Sequence, residues 1–203
     1  MQVKEIDIFK VKDGFLKFED KVAIEEPLQM YLSYGSGSNR MKKSIAITMR
    51  TPGDDAALIK GFLLTEGIIN RFDDLIYVKQ ISQNQVIAEL KPDVQFDISS
   101  LDRNFYMTSS CGVCGKASID QIDRHTTFIA KQTFKVGKEL IKSLANKLDQ
   151  DQYAFIQTGG IHAAALFNLS GELMLLSEDV GRHNALDKLI GSLNGKINVD
   201  TSI

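Results

Sequence analysis

The sequence predicts a mixed α and β protein (α+β / α/β) in two parts. Residues 1–107 read as a mainly β part with one helix, and residues 108–203 as an α/β part that opens on a cysteine loop. Three observations carry that expectation. Five runs before residue 51 alternate apolar and polar residues or concentrate β-branched and aromatic ones, as half-buried strands do. After residue 135 the apolar spacing lengthens to that of amphipathic helices. Between the two, Ser109–Lys116 holds both cysteines of the chain, spaced Cys-x-x-Cys.

In chain order, Val3–Val11, Gly14–Phe18, Val22–Ile24, Leu28–Ser33 and Ser44–Arg50 read as strands, the last with Ile45, Ile47 and Met49 on one face. Thr51-Pro52-Gly53-Asp54 supplies a turn and a helix cap, and capping accounts for the Asp54-Asp55 pair. A helix over Asp55–Glu66 then buries Leu58, Ile59, Phe62 and Leu63 and stops at Gly67. Leu75–Ile81 and Gln85–Leu90 form a hairpin around Ser82-Gln83-Asn84, and Pro92–Met107 is a long connection with weak periodicity. Beyond the cysteines, Ile119 and Ile122 suit a helix. Val136–Leu148 is an amphipathic helix with Leu140, Ile141, Leu144, Ala145 and Leu148 on one side. Tyr153–Gln157 fits either a strand or continued helix and ends at Gly159-Gly160. His162–Asn168 and Glu172–Ser177 pair about Leu169-Ser170-Gly171. Asp179 can cap a last helix through Leu193, buried along Leu186, Leu189, Ile190 and Leu193.

Composition narrows the function classes. The net charge of −2 gives no global electrostatic case for nucleic acid or a membrane surface. No apolar run approaches the length of a membrane span, and residues 1–7 hold no signal-peptide core, so a cytoplasmic protein is expected. In a reducing compartment a lone Cys-x-x-Cys points to reactivity or metal binding before a permanent disulfide.

Ser109-Ser110-Cys111-Gly112-Val113-Cys114-Gly115-Lys116 places serines before the first cysteine and a glycine after each. At a helix start, unpaired N–H groups and the helix dipole favour a thiolate, and the Lys116 ammonium acts in the same direction. Three chemistries stay open. Zinc would need two further ligands, with His162 and His183 the candidates, but no second Cys-x-x-Cys exists and Ala164 stands where a zinc deaminase would carry glutamate. A disulfide switch and a persulfide-forming nucleophile remain, and spacing does not separate them; both put the nucleophile at Cys111. His162 ends a glycine turn, Thr158-Gly159-Gly160-Ile161-His162. His183 lies in Glu178-Asp179-Val180-Gly181-Arg182-His183-Asn184. Both stretches suit pocket walls, and both equally suit a half-buried histidine and an ordinary helix start. His125 reads as surface.

At these residues the chain resembles the FdhD family of formate dehydrogenase accessory sulfurtransferases. The cysteine loop, Thr158–Ala165 and Glu178–Lys188 carry the resemblance. Glu25-Glu26-Pro27-Leu28, Thr48–Asp55 and Gly61–Gly67 match in order, from about residue 22 onward. The resemblance implies a cytoplasmic homodimer whose α/β part has a cytidine-deaminase-like fold without the zinc. It implies a Cys111 persulfide charged by a cysteine desulfurase, with Cys114 as partner, and no catalytic metal of its own. The sulfur's destination would be the molybdenum bis(guanine dinucleotide) cofactor, bound as substrate before it enters formate dehydrogenase. Gly160, His162, Asp179, Arg182 and His183 would then line the cofactor's pocket. A redox-regulated cofactor chaperone without sulfur transfer is the alternative. The family continues past Ile203, where residues 198–203 look like the start of a strand, so a chain cut short of a cofactor-binding segment is expected.

Overall fold

The computed structural model describes residues 2–11, 14–94, 105–107 and 135–193, with the backbone alone for 105–107. The expectations for Cys111, Cys114, the helix after them, His125 and the end at Ile203 lie outside the described residues. Within them the protein is mixed α and β, as the sequence predicts.

β1 (Val3–Val11) and β2 (Phe15–Ala23) form an antiparallel ribbon in register from Val3↔Ala23 to Val11↔Phe15. Two expected short strands are therefore one. The charged run between them faces water, so it needs no apolar alternation, and Lys17 pairs across the ribbon with Asp7 at 2.8 Å.

The main sheet has five strands in the order β5-β6-β3-β4-β7: β5 (Leu75–Ser82), β6 (Gln85–Leu90), β3 (Glu26–Tyr34), β4 (Met41–Arg50) and β7 (Phe105–Met107). β3/β4 and β5/β6 are antiparallel, whereas β3/β6 and β4/β7 are parallel. Central β3 buries Leu28, Met30, Leu32 and Tyr34 at alternate positions. Helix α1 (Asp55–Thr65) lays Leu58, Ile59, Phe62 and Leu63 on that face, and Val86, Ala88 and Leu90 complete one core. Each of the larger of these side chains (Leu, Ile, Val, Met, Phe) contributes about 1.5–3 kcal/mol by leaving water.

β4 departs from the expected face. Met30 opposes Ala46 but Tyr31 opposes Ser44, which leaves Ile45 as an extra, bulged residue. Ile45 and Ala46 are both buried, and beyond them Thr48 and Arg50 turn inward while Ile47 and Met49 are only half-buried. One inserted residue turns the rest of a strand over. Asp54 precedes α1 in the left-handed region (φ 55°) and makes no side-chain cap; its carbonyl accepts the Leu58 N–H at 2.9 Å. Asp55 holds Arg50 instead of capping, so capping does not account for the Asp54-Asp55 pair.

In the C-terminal half, α2 (Lys138–Asp151) half-buries Leu140, Leu144 and Leu148 and leaves Ile141 and Ala145 exposed. The ambiguous stretch is a helix, α3 (Tyr153–Thr158), closed by Gly159 at φ 64°. It packs on the ribbon, where Lys21 Nζ donates to Gln157 Oε1 at 3.0 Å. β8 (His162–Phe167) and β9 (Leu173–Asp179) are the expected hairpin, with His162 opposite Asp179. α4 (Arg182–Leu193) buries Asn184, Ala185, Asp187, Lys188, Leu189 and Gly191, while Leu186 is exposed, contrary to expectation. The cause is its neighbour: α4 crosses α1 at two glycines. A Cβ on Gly61 would sit 1.9 Å from the Asp187 carbonyl oxygen, and one on Gly191 would sit 1.9 Å from that of Ala57.

Candidate functional site

The exposed residues of the site hang on a buried knot at the β9–α4 junction. Asp179 and Lys188 are both wholly buried and lie 2.7 Å apart, Nζ to Oδ2. Asp179 Oδ2 also accepts the Thr51 N–H at 3.1 Å, and Oδ1 accepts from Gly181 N at 2.9 Å and Asn184 Nδ2 at 3.0 Å. Four donors on one carboxylate offset what would otherwise be a costly buried charge. Thr51 answers from the other side: its hydroxyl accepts Val180 N–H at 3.1 Å and its carbonyl accepts Lys188 Nζ at 2.7 Å. Asn184 adds a bond to the Met49 carbonyl at 2.8 Å and receives the Thr48 hydroxyl at 3.2 Å. The bulge at Ile45 is what brings Thr48 to this side of β4.

The other sequence-predicted residues sit around the knot. Arg182 and His183 open α4 and are exposed; His162 is exposed at the start of β8, in register with Asp179; Gly160 is exposed one residue after α3's glycine stop. Gly160, His162, Arg182 and His183 thus gather at one end of the β8–β9 hairpin around a buried Asp179 that accepts four donors. The first N–H groups of α4 lie at the same end, and a twelve-residue helix start attracts anions there. Two exposed imidazoles, a guanidinium and a glycine turn suit phosphate oxygens.

Glu178 has a separate task. Its carboxylate accepts Ala154 N–H at 2.9 Å and Phe155 N–H at 2.8 Å, which caps α3 and fixes the Gly159-Gly160 turn relative to β9. Sequence reading missed Thr48, Thr51, Asn184 and Lys188 as partners of this motif. The available signal was the spacing Asn184/Lys188, one helical turn apart on one face.

Two further polar groups flank the site. Arg50, 1% exposed, holds Asp55 through two parallel bonds, Nε–Oδ1 at 2.9 Å and Nη2–Oδ2 at 3.0 Å, and donates to the Gln83 carbonyl at 3.0 Å. With Glu26, Gly53, Asp54 and Gln80 it lines an open cleft of about 380 Å³. Asp187, buried between α4 and α1, accepts the Thr65 hydroxyl at 2.9 Å. Burial pushes its carboxyl up to about 7 against that bond, and the nearby Glu66 charge adds to the rise. Among the described residues no three His, Cys, Asp or Glu side chains are grouped as metal ligands, and no helix is long and apolar enough to cross a membrane.

A family model described as FdhD/NarQ matches residues 23–201. A Sulfolobus acidocaldarius protein named sulfur carrier protein FdhD is 44% identical over 194 residues, 95% of this chain and 70% of its own length. A Streptomyces avermitilis protein of the same name is 41% identical over 196 residues, 91% of this chain and 67% of its own. The fold matches the crystal structure of a candidate formate dehydrogenase accessory protein from Desulfotalea psychrophila. The TM-score is 0.73 at 21% identity, covering 99% of this chain and 73% of that one.

Proposed function

The chain belongs to the FdhD/NarQ family, and on that premise we propose that it is a sulfur carrier and sulfurtransferase of formate dehydrogenase maturation. The observation that carries this reading is identity above 40% along nearly the whole chain to proteins named as sulfur carriers. The chemistry assigned to it is persulfide exchange. Cys111 thiolate attacks the outer sulfur of a cysteine desulfurase persulfide; a sulfur–sulfur bond forms at Cys111 Sγ, the donor's bond breaks, and the donor cysteine leaves as thiolate. Delivery of that sulfur to the molybdenum bis(guanine dinucleotide) cofactor, which is substrate here, breaks the new sulfur–sulfur bond: a thiolate attacks Cys111 Sγ, the two sulfurs join as a disulfide and so supply two electrons, and the outer sulfur leaves as hydrosulfide. Cys114 protonates or orients the transfer, or is itself the thiolate that attacks Cys111 Sγ of the persulfide, leaving a Cys111–Cys114 disulfide as hydrosulfide departs. The protein acts in the cytoplasm as a homodimer.

His162, Arg182, His183 and the Gly159-Gly160 turn receive the cofactor's phosphates in this reading. Their exposure at a helix N-terminus supports it, as does the burial of both acidic side chains of the motif: Asp179 and Glu178 are hydrogen-bonded within the protein. Neither carboxylate opposes an incoming anion at the surface.

Intact mass after incubation with a cysteine desulfurase and cysteine is the test, on the wild type, Cys111→Ala and Cys114→Ala. We expect a gain of one sulfur atom that is lost with Cys111→Ala and kept with Cys114→Ala. No gain in the wild type, or a loss of two hydrogens, would overturn sulfur carriage in favour of a redox-regulated cofactor chaperone.

A further inference from the structure

A fully buried ion pair rarely adds net stability over apolar side chains of the same shape, because desolvation offsets the attraction. The Asp179–Lys188 pair is wholly buried, and every bond it makes beyond itself reaches backbone or an amide at one of two facing places, the join between β9 and α4 (Gly181, Asn184) and Thr51 at the end of β4. Asp179 holds Gly181 N–H, Thr51 holds Val180 N–H, and Lys188 reaches back from the second turn of α4 to close the ring on Thr51. The segment so held runs straight into exposed Arg182 and His183. Gly181 is closely packed: a Cβ there would lie 2.8 Å from Asn184 Nδ2 and would shift the amide that bridges Asp179 to Met49.

We propose that Asp179 and Lys188 are positioning residues, whose ring of bonds with Thr51 sets Val180-Gly181 so that Arg182 and His183 meet the phosphates of a guanine nucleotide. The inference rests on the cofactor reading of that surface and gives it a mechanism. Neither residue touches the nucleotide. The pair fixes the direction in which α4 begins, and the helix carries the two cationic side chains with it. A segment without the ring would sample several orientations, and an arginine and a histidine that must find phosphate from a mobile start lose affinity to ordering.

Guanosine diphosphate is the probe, with dissociation constants measured beside thermal stability and hydrogen exchange at the Val180 and Gly181 amides. The variants are Arg182→Gln, Asp179→Asn/Lys188→Met and Thr51→Val; the last removes only the acceptor of Val180 N–H and guards against a double variant that fails to fold. Arg182→Gln should weaken binding about tenfold at unchanged stability. The folded double variant should weaken it about as much and speed exchange at both amides. Thr51→Val should weaken it severalfold and speed exchange at Val180. Folded variants with faster exchange that bind as tightly as the wild type would make the ring purely structural and overturn the proposal, while the cofactor reading stands on Arg182. A wild type that does not bind the probe, with Arg182→Gln no different, would overturn the cofactor reading, and the proposal falls with it.

Discussion

A carboxyl group buried against a threonine hydroxyl, with a glutamate for a neighbour, is easier to keep neutral than charged. That is the position of Asp187, whose carboxyl burial raises from 3.8 to about 7. A group whose folded value lies above its unfolded one contributes stability that is complete below the unfolded value and fades as pH rises through the folded one. Stability should therefore fall between about pH 4 and pH 7, by roughly 2–4 kcal/mol, and Asp187→Asn should flatten the curve over that window. Denaturant melts at several pH values read both. Arg50 makes the opposite case: it is paired with a carboxylate one helix start away, and Asp55→Ala would leave its charge buried without that partner. The expected loss is about 3–5 kcal/mol by chemical denaturation. At this scale the sequence is informative where chemistry is local. Cys-x-x-Cys with flanking glycines is visible in eight residues. The partner of Asp55 is not, because an acidic residue at a helix start reads as a cap until the strand before it is known to turn Arg50 inward.

The helix crossing carries the clearest prediction among the elements. Gly61→Ala and Gly191→Ala each insert a methyl where a backbone carbonyl already lies, and neither helix can yield without opening the other's contact. Each should cost about 3 kcal/mol in a thermal melt. Glu178→Gln replaces a charged acceptor of two N–H groups at the start of the six-residue α3 and should cost about 1 kcal/mol, with faster proteolysis near Gly159. The period of two and the period of 3.6 located nearly every described strand and helix. They failed at β4 and α4 for one reason. Ile45, Ile47 and Met49 do alternate, and Leu186, Leu189, Ile190 and Leu193 do make a stripe, but the face an element buries is decided by what packs on it. A bulge set by β3, and for α4 a crossing with α1 at Gly61 and Gly191 beside the polar ring at Thr51, lie outside any local window.

Across the molecule, apolar surface is unevenly placed. The β1–β2 ribbon exposes Phe9, Val11, Phe15, Leu16 and Phe18, with Phe15 79% exposed, while the core under α1 excludes water completely at Leu28, Met30 and Leu58. Phe15→Ser should change folding stability by no more than about 0.5 kcal/mol and reduce binding of an apolar dye. The order β5-β6-β3-β4-β7 was not legible in the sequence: hairpins announce themselves by their turns, but two parallel pairings join segments whose connections say nothing of their destination.

The ring at Thr51 also sets a schedule for a chain still being made. Asp55 emerges almost at once to neutralise Arg50, but Lys188 follows Thr51 by 137 residues. At about 5–20 residues per second, translation leaves the end of β4 unsealed for roughly 7–27 s. Through that interval Thr48, Met49 and Thr51 offer hydrogen-bonding groups with no native occupant. The nascent chain is then a substrate for whatever waits at the ribosome's exit, and α4 arrives as the bolt that closes its first half.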